Sequence, residues 1–97
     1  MLTSKQRATL RAAANTTETI LQVGKGGIAD ALVKQVNDAL TARELIKLHV
    51  LETAPGAAGE IAADMAEKTN SEVVQVIGTR FVLYRKNKKN PIYLIEK

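Results

Sequence analysis

Apolar residues recur along the chain with two periods, one typical of α-helices and one typical of β-strands. Helical spacing is clearest from Ile28 to Leu40, and Thr3 and Gln6 fit a capping box at the start of an earlier helix. The pattern predicts helices over residues 4–14, from residue 28 to about residue 43, and around residues 61–69. It predicts strands over residues 19–23, 45–51, 73–77 and 80–85, and a short edge strand over residues 92–95.

The predicted order of the main elements is α-β-α-β-α-β-β, with a tight hairpin at Gly78 and Thr79. Each strand-helix-strand unit predicts a right-handed crossover between paired parallel strands, and the hairpin adds an antiparallel strand. The predicted fold class is therefore α/β, of the two-layer α+β type, with a mixed sheet. No linker or repeat divides the chain, so residues 1–97 are predicted to form one domain.

Composition argues against several classes of protein. Cysteine is absent and His49 is the only histidine, so thiolate metal sites and histidine clusters are excluded. No nucleophile has a partnered base, and we expect neither an enzyme nor a protein with a metal or cofactor. No apolar stretch approaches the roughly 20 residues of a membrane span. We therefore expect a cytoplasmic protein, and a monomer.

Charge is distributed unevenly along the sequence. Residues 30–79 contain eight acidic and four basic side chains, whereas the rest of the chain contains ten basic and two acidic ones. This asymmetry is typical of a protein that binds a polyanion through one face. The alternative is a protein-interaction module that docks through its acidic middle, with basic ends that serve only solubility.

The segment LQVGKGGIAD places three glycines and Lys25 between a predicted strand and a predicted helix. Glycine lets a phosphate approach the backbone amides, and a helix start adds the positive end of a dipole. The G-x-x-G motif of Gly24 and Gly27 clamps the sugar-phosphate backbone in single-stranded nucleic-acid modules. This combination favours an anion site over a simple turn.

Other phosphate-binding motifs fit this segment less well. The phosphate loop of nucleotide hydrolases requires Ser or Thr after Gly-Lys, and this chain has Gly26 there. The dinucleotide fingerprint G-x-G-x-x-G/A does match at Gly24, Gly26 and Ala29. A dinucleotide-binding half-domain is therefore an open alternative, although 97 residues are too few for both halves of that fold.

Aromatic residues are too few for recognition by base stacking. The chain contains only Phe81, Tyr84 and Tyr93. The segment around Phe81 partly matches the RNP1 motif, but the order of elements differs from that fold. We therefore predict that Phe81 belongs to the core.

Four segments in order, LTSKQRATLR, ILQVGKGGI, ALTARELIKLHVL and VVQVIGTRFVLYR, resemble a CRM domain (chloroplast RNA splicing and ribosome maturation). The similarity is greatest to the stand-alone bacterial YhbY-type proteins and extends from about residue 2 to residue 85, which leaves a basic tail at residues 86–97. The resemblance implies a mixed four-stranded sheet with helices, similar to the C-terminal domain of translation initiation factor three.

The same resemblance implies RNA binding, and association with precursors of the large ribosomal subunit. Its G-x-x-G loop corresponds to Gly24, Lys25, Gly26 and Gly27. Its basic first helix corresponds to Lys5, Arg7 and Arg11. A contribution from Arg85, Lys86, Lys88 and Lys89 is predicted from charge alone.

Overall fold

The computed structural model describes residues 2–87, which form three helices and four strands in the predicted order. The helices are α1 (Ser4–Ala14), α2 (Asp30–Arg43) and α3 (Ala58–Thr69). The strands are β1 (Thr19–Val23), β2 (Leu45–Val50), β3 (Glu72–Ile77) and β4 (Arg80–Tyr84). The predicted fold class with a mixed four-stranded sheet is confirmed, whereas the edge strand predicted over residues 92–95 lies outside the described residues.

The first helix begins where the sequence indicates, because Thr3 and Gln6 cap it reciprocally. The Thr3 hydroxyl accepts a hydrogen bond from the backbone N–H of Gln6 at 3.1 Å. The side-chain Oε1 of Gln6 accepts one from the backbone N–H of Thr3 at 2.9 Å. Two backbone donors that helix geometry leaves unpaired are satisfied in this way, and the predicted capping box is confirmed.

The strand order in the sheet is β1-β2-β4-β3, which corrects one part of the predicted topology. β1 and β2 pair in parallel as expected, but β4 lies between β2 and β3 and is antiparallel to both. The predicted parallel pairing of β2 with β3 is therefore wrong. The physical reason is burial: the apolar run Phe81–Tyr84 is buried on both faces, which favours the centre of the sheet, whereas β3 leaves Val76 and Ile77 exposed.

The two faces of the sheet are covered unequally. α2 and α3 pack on one face, which we call the two-helix face, and α1 alone packs on the opposite, one-helix face. The core of the two-helix face includes Val36, Leu40, Ile61, Met65, Ile46, Leu48, Phe81 and Leu83. The core of the one-helix face consists of Leu10, Ala14, Leu45, Val74, Val82 and Tyr84. Phe81 is 1% exposed, so its predicted place in the core is confirmed.

A buried acid and a buried phenol lie where α2 meets β4. Glu44 follows the last residue of α2 with a φ of 68°, a conformation that favours glycine, and it is fully buried. Its backbone N–H donates to the carbonyl of Leu40 at 2.9 Å, and its carbonyl accepts from the N–H of Arg85 at 2.9 Å. Burial raises the pKa of Tyr84 to about 12, and the negative charge of Glu44 contributes in the same direction.

The free energy of unfolding should therefore fall as the pH rises from about 10 to about 12. Unfolded Tyr84 loses its proton near the ordinary pKa of 10.0, whereas folded Tyr84 keeps it until about 12. The contribution is fully present below pH 10.0 and amounts to roughly 3 kcal/mol. Urea unfolding of the wild type and of Tyr84→Phe below pH 10 and near pH 12 measures this contribution. Tyr93 is present in both proteins, so its effect cancels in the comparison. A stability difference between them that does not vary with pH would contradict the prediction.

Candidate nucleic-acid interface

β1 leads into a four-residue turn, Gly24–Gly27, which we call the GKGG turn. The backbone N–H of Gly27 donates to the carbonyl of Gly24 at 2.9 Å, and this bond places Lys25 and Gly26 at the exposed tip. The fold requires Gly27, because its φ is +62° and an added Cβ would lie 2.9 Å from Cγ of Pro55. Nothing lies within 4 Å of a Cβ built on Gly26. The fold therefore explains Gly27 but places no requirement on Gly26.

Gly27→Ala should lower the free energy of unfolding by about 1 to 3 kcal/mol, because it combines a disfavoured φ with a clash against Pro55. Gly26→Ala is the matched control, and it should change stability by less than about 0.5 kcal/mol. Urea unfolding of both variants at neutral pH measures the difference. Equal stability of the two variants would show that the backbone of the turn does not require glycine at position 27.

The GKGG turn does not lead directly into α2. Ala29 is extended, with φ −80° and ψ 158°, and α2 begins at Asp30, two residues after the predicted start at Ile28. The carboxylate of Asp30 lies in the first turn, where it offsets the positive end of the helix dipole. Ile28 and Ala29 therefore separate the glycine turn from the first helical residue, and the predicted helix start lies two residues later than expected. Ala29 is also exposed, so it does not provide the close helix packing of a dinucleotide fingerprint.

Two other loops share an end of the sheet with the GKGG turn. The backbone N–H of Leu51 donates to the carbonyl of Val23 at 2.9 Å, and that of Val50 donates to the carbonyl of Thr79 at 2.7 Å. These bonds bring the connection from β2 to α3 and the hairpin between β3 and β4 beside the turn. We call this end of the sheet the loop end.

Acidic residues border the GKGG turn on the side of α3. A groove of about 240 Å³ lies between the turn and α3, and Glu60 and Asp64 line it together with Lys68. Both acids are exposed on the solvent side of α3. Because carboxylates repel phosphates, a polyanion reaches the turn more favourably from the opposite side, that of the one-helix face.

The three basic candidates on α1 differ in their surroundings. Lys5 and Arg11 are exposed, whereas Arg7 is half-buried and donates hydrogen bonds to the carbonyls of Val73 and Val74. The pairing of β3 with β4 shifts just after Val73, and such an irregularity leaves backbone carbonyls without a partner in the sheet. Arg7 therefore links α1 to the edge strand β3 by hydrogen bonds. Its position in the sequence does not reveal this role.

Arg85 is held by four acceptors inside the fold. Its Nη1 donates to Oδ1 of Asn37 and to the carbonyl of Thr69, both at 2.7 Å. Its Nη2 donates to the carbonyl of Asn37 at 2.9 Å and to the hydroxyl of Thr41 at 3.0 Å. The planar guanidinium thus joins α2, the end of α3 and the residue after β4.

The predicted site residues lie at the two ends of the sheet. The GKGG turn is at the loop end, and α1 packs near Leu45, on the order of 17 Å away along β2. Lys86 is exposed just beyond β4, near Leu45, whereas Lys88 and Lys89 lie outside the described residues. Between the two ends, the core under α1 reaches Val82, whereas Lys47, His49, Arg80 and Ile77 are half-buried or exposed. Sequence reasoning assigned no role to the basic residues there, although the alternation of β2 places Lys47 outward.

The CRS1 / YhbY (CRM) domain matches residues 2–85 of the chain. The chain belongs to the CRM family. The "Probable RNA-binding protein YqeI" of Bacillus subtilis is 43% identical over 90 residues, which cover 93% of this chain and 94% of that protein. The "Probable RNA-binding protein MJ0652" of Methanocaldococcus jannaschii is 36% identical over 98 residues, with 99% of this chain and 72% of that protein covered.

A solved structure supports the same relationship. The solution structure of the hypothetical protein SAV1595 from Staphylococcus aureus is 45% identical in sequence and superposes with a TM-score of 0.83. The similarity covers 99% of this chain and 100% of that one. The family resemblance of the sequence is confirmed, and so is the fold that it implies.

Metal-binding clusters and helices able to span a membrane are both absent from the residues that the structure describes. Within residues 2–87, no three His, Cys, Asp or Glu side chains are grouped so that they could hold a metal ion. None of the helices in that range is long and apolar enough to cross a membrane.

Proposed function

We propose that this protein binds RNA and that the GKGG turn contacts the RNA backbone. The proposal rests on the tip of the turn. Lys25 is exposed there, and the fold does not require a glycine at position 26. A glycine at such a tip lets a phosphate approach the backbone closely, and Lys25 supplies the charge. Relatives of the same family that are named RNA-binding proteins support the proposal.

Recognition in this proposal is mainly of phosphates and of RNA shape. Two of the three aromatic residues, Phe81 and Tyr84, are buried in the core, so aromatic stacking contributes little. Phosphate contacts position an RNA but carry no sequence information, so specificity is modest. The proposed role is binding, without catalysis and without a cofactor.

Basic residues at the other end of the sheet are proposed to add phosphate contacts. Lys5, Arg11 and Lys86 are exposed there and can reach an RNA that extends past α1. Arg7 and Arg85 belong to the predicted set as well, but their guanidinium groups already bind backbone carbonyls of the protein. We therefore assign the larger part of the electrostatic contribution to the exposed residues.

We further propose that the RNA is ribosomal RNA in precursors of the large ribosomal subunit, and that the cytoplasmic protein assists their assembly. The proposal rests on the resemblance to stand-alone bacterial CRM proteins. It agrees with the charge distribution, because binding that depends on phosphates is readily reversed and suits a factor that leaves the mature particle.

Gradient fractionation of a cell lysate tests the ribosomal part of the proposal. At low salt, the protein should sediment at or just below the position of the large subunit. High salt, or the change of Lys25 and Gly26 to aspartate, should move it to the top of the gradient, because either one weakens phosphate contacts. Sedimentation with the small subunit, or with no ribosomal particle at any salt, would overturn the assignment.

A further inference from the structure

We propose that the uncovered part of the one-helix face is a second RNA-binding surface, which holds unpaired nucleotides next to the GKGG turn. It consists of two rows that cross β2, β4 and β3, and we call it the open strip. The rows are Lys47, Val82 and Gln75, and His49, Arg80 and Ile77. This inference rests on the proposed RNA binding and extends it from the turn to the sheet.

The open strip begins directly beside the GKGG turn. His49 pairs with Gln22 of β1, which is two residues before Gly24, the first residue of the turn. The row that contains Lys47 follows about 7 Å further along β2, because two residues of a strand rise by that distance. An RNA strand that crosses the one-helix face from the turn therefore meets Arg80 first and Lys47 next.

The open strip places an apolar floor between two cations. A groove of about 160 Å³ is lined by Lys47, Gln75, Ile77, Arg80 and Val82. Val82 lies beneath the groove and is only 3% exposed, so the accessible apolar surface is mainly that of Ile77, which is 61% exposed at the sheet edge. An unpaired base can rest on the apolar side chains and stack against the guanidinium plane of Arg80, with Lys47 near its phosphate. Bases within a duplex are stacked inside the helix and cannot enter such a groove.

Charge complementarity favours RNA as the occupant. Both residues pair through their backbones in the sheet, but within residues 2–87 the side chains of Lys47 and Arg80 form no hydrogen bond or ion pair. The six residues of the open strip include no acid, whereas α3 exposes Glu60, Asp64 and Glu67 on the other side of the turn. A polyanion bound at the turn is therefore repelled by α3 and attracted towards the open strip.

The test compares single-stranded RNA with duplex RNA. Lys47→Gln combined with Arg80→Gln should weaken binding of a polyuridine oligonucleotide at least tenfold, which is roughly the loss of one stacked base and its phosphate contact. Binding of a blunt-ended duplex should weaken less than threefold. Lys34→Gln combined with Arg43→Gln is the matched control, because it removes one lysine and one arginine charge from the exposed side of α2. Fluorescence anisotropy at low salt measures both affinities, and urea unfolding shows that each variant is folded.

A second variant separates apolar contact from charge. Ile77→Ser keeps the charge of the strip and should still weaken binding of the single strand several-fold, with no change for the duplex. Equal losses in the strip variant and its control, or equal losses for the two RNAs, would overturn the second surface while leaving the turn as a binding site. If the wild type bound neither RNA, the proposed function itself would fail, and the open strip with it.

Discussion

Changing Lys25 and Gly26 together to aspartate should weaken RNA binding at least tenfold and leave the free energy of unfolding nearly unchanged. Both residues lie at the exposed tip of the GKGG turn, and nothing lies within 4 Å of a Cβ at position 26. The new side chains therefore fit without displacing neighbouring atoms of the protein. They replace a cation by two carboxylates at the proposed contact with phosphate, where repulsion acts at short range.

The matched control for this pair is Lys34→Asp with Gln35→Asp, which makes the same change in net charge at two exposed positions of α2. Fluorescence anisotropy with one RNA at one salt concentration compares the two pairs, and urea unfolding confirms that both are folded. An equal loss of affinity in the control would mean that net charge alone governs binding. Wild-type affinity in the Lys25 and Gly26 pair would remove the turn from the interface.

Arg85→Met should lower the free energy of unfolding by about 2 to 4 kcal/mol, the largest stability effect that we predict. The guanidinium donates four hydrogen bonds to Asn37, Thr41 and Thr69. Thr69 is 2% exposed, so its carbonyl has little access to water once the arginine is removed. The loss of an internal partner for a buried carbonyl is what makes the substitution costly.

Two companion variants show whether charge or geometry is responsible. Arg85→Lys should recover only part of the stability, because an ammonium group cannot reproduce the planar fork of two nitrogens. Lys86→Met removes the same charge from the exposed neighbouring residue, and its effect should stay within about 0.5 kcal/mol. Urea unfolding measures the stability of all three variants. Full recovery in Arg85→Lys, or a loss in Lys86→Met as large as that in Arg85→Met, would contradict the structural role of Arg85.

The helices and strands could be predicted from the sequence because their signals are local. The capping box at Thr3 fixes the start of α1, and the alternation from Leu45 to Val50 identifies β2. Strand order depends on a comparison between distant segments instead. The continuous apolar run of β4 indicates a strand buried on both faces, but only its pairing with β2 shows that β4 separates β2 from β3.

The roles of individual cations could not be predicted from charge and position alone. Arg7 looks like an exposed residue of a basic helix, yet it bonds to the carbonyl of Val73, 66 residues away in sequence. Arg85 likewise reaches Asn37 from 48 residues away. A long arginine side chain can serve a distant backbone as well as a ligand, and the sequence does not distinguish the two.

The family and the glycine motif could be recognised in the sequence. Which glycine of the motif the fold requires could not be predicted from it. Gly27 has a left-handed φ and packs against Pro55, whereas Gly26 is open to solvent. Only the three-dimensional contacts separate the glycine that the fold requires from the one that remains available to a ligand. That distinction is the basis for placing the RNA backbone at Lys25 and Gly26.

The most direct measurement of RNA binding at the turn is an NMR titration of the ¹⁵N-labelled protein with single-stranded RNA at low salt. The backbone amides of Gly24–Gly27 should show the largest changes in chemical shift, followed by those of the open strip around Arg80. The amides on the exposed side of α3, near Asp64, should change little, because that surface is acidic. Largest changes on α3 with the amides of Gly24–Gly27 unmoved would contradict the proposed interface.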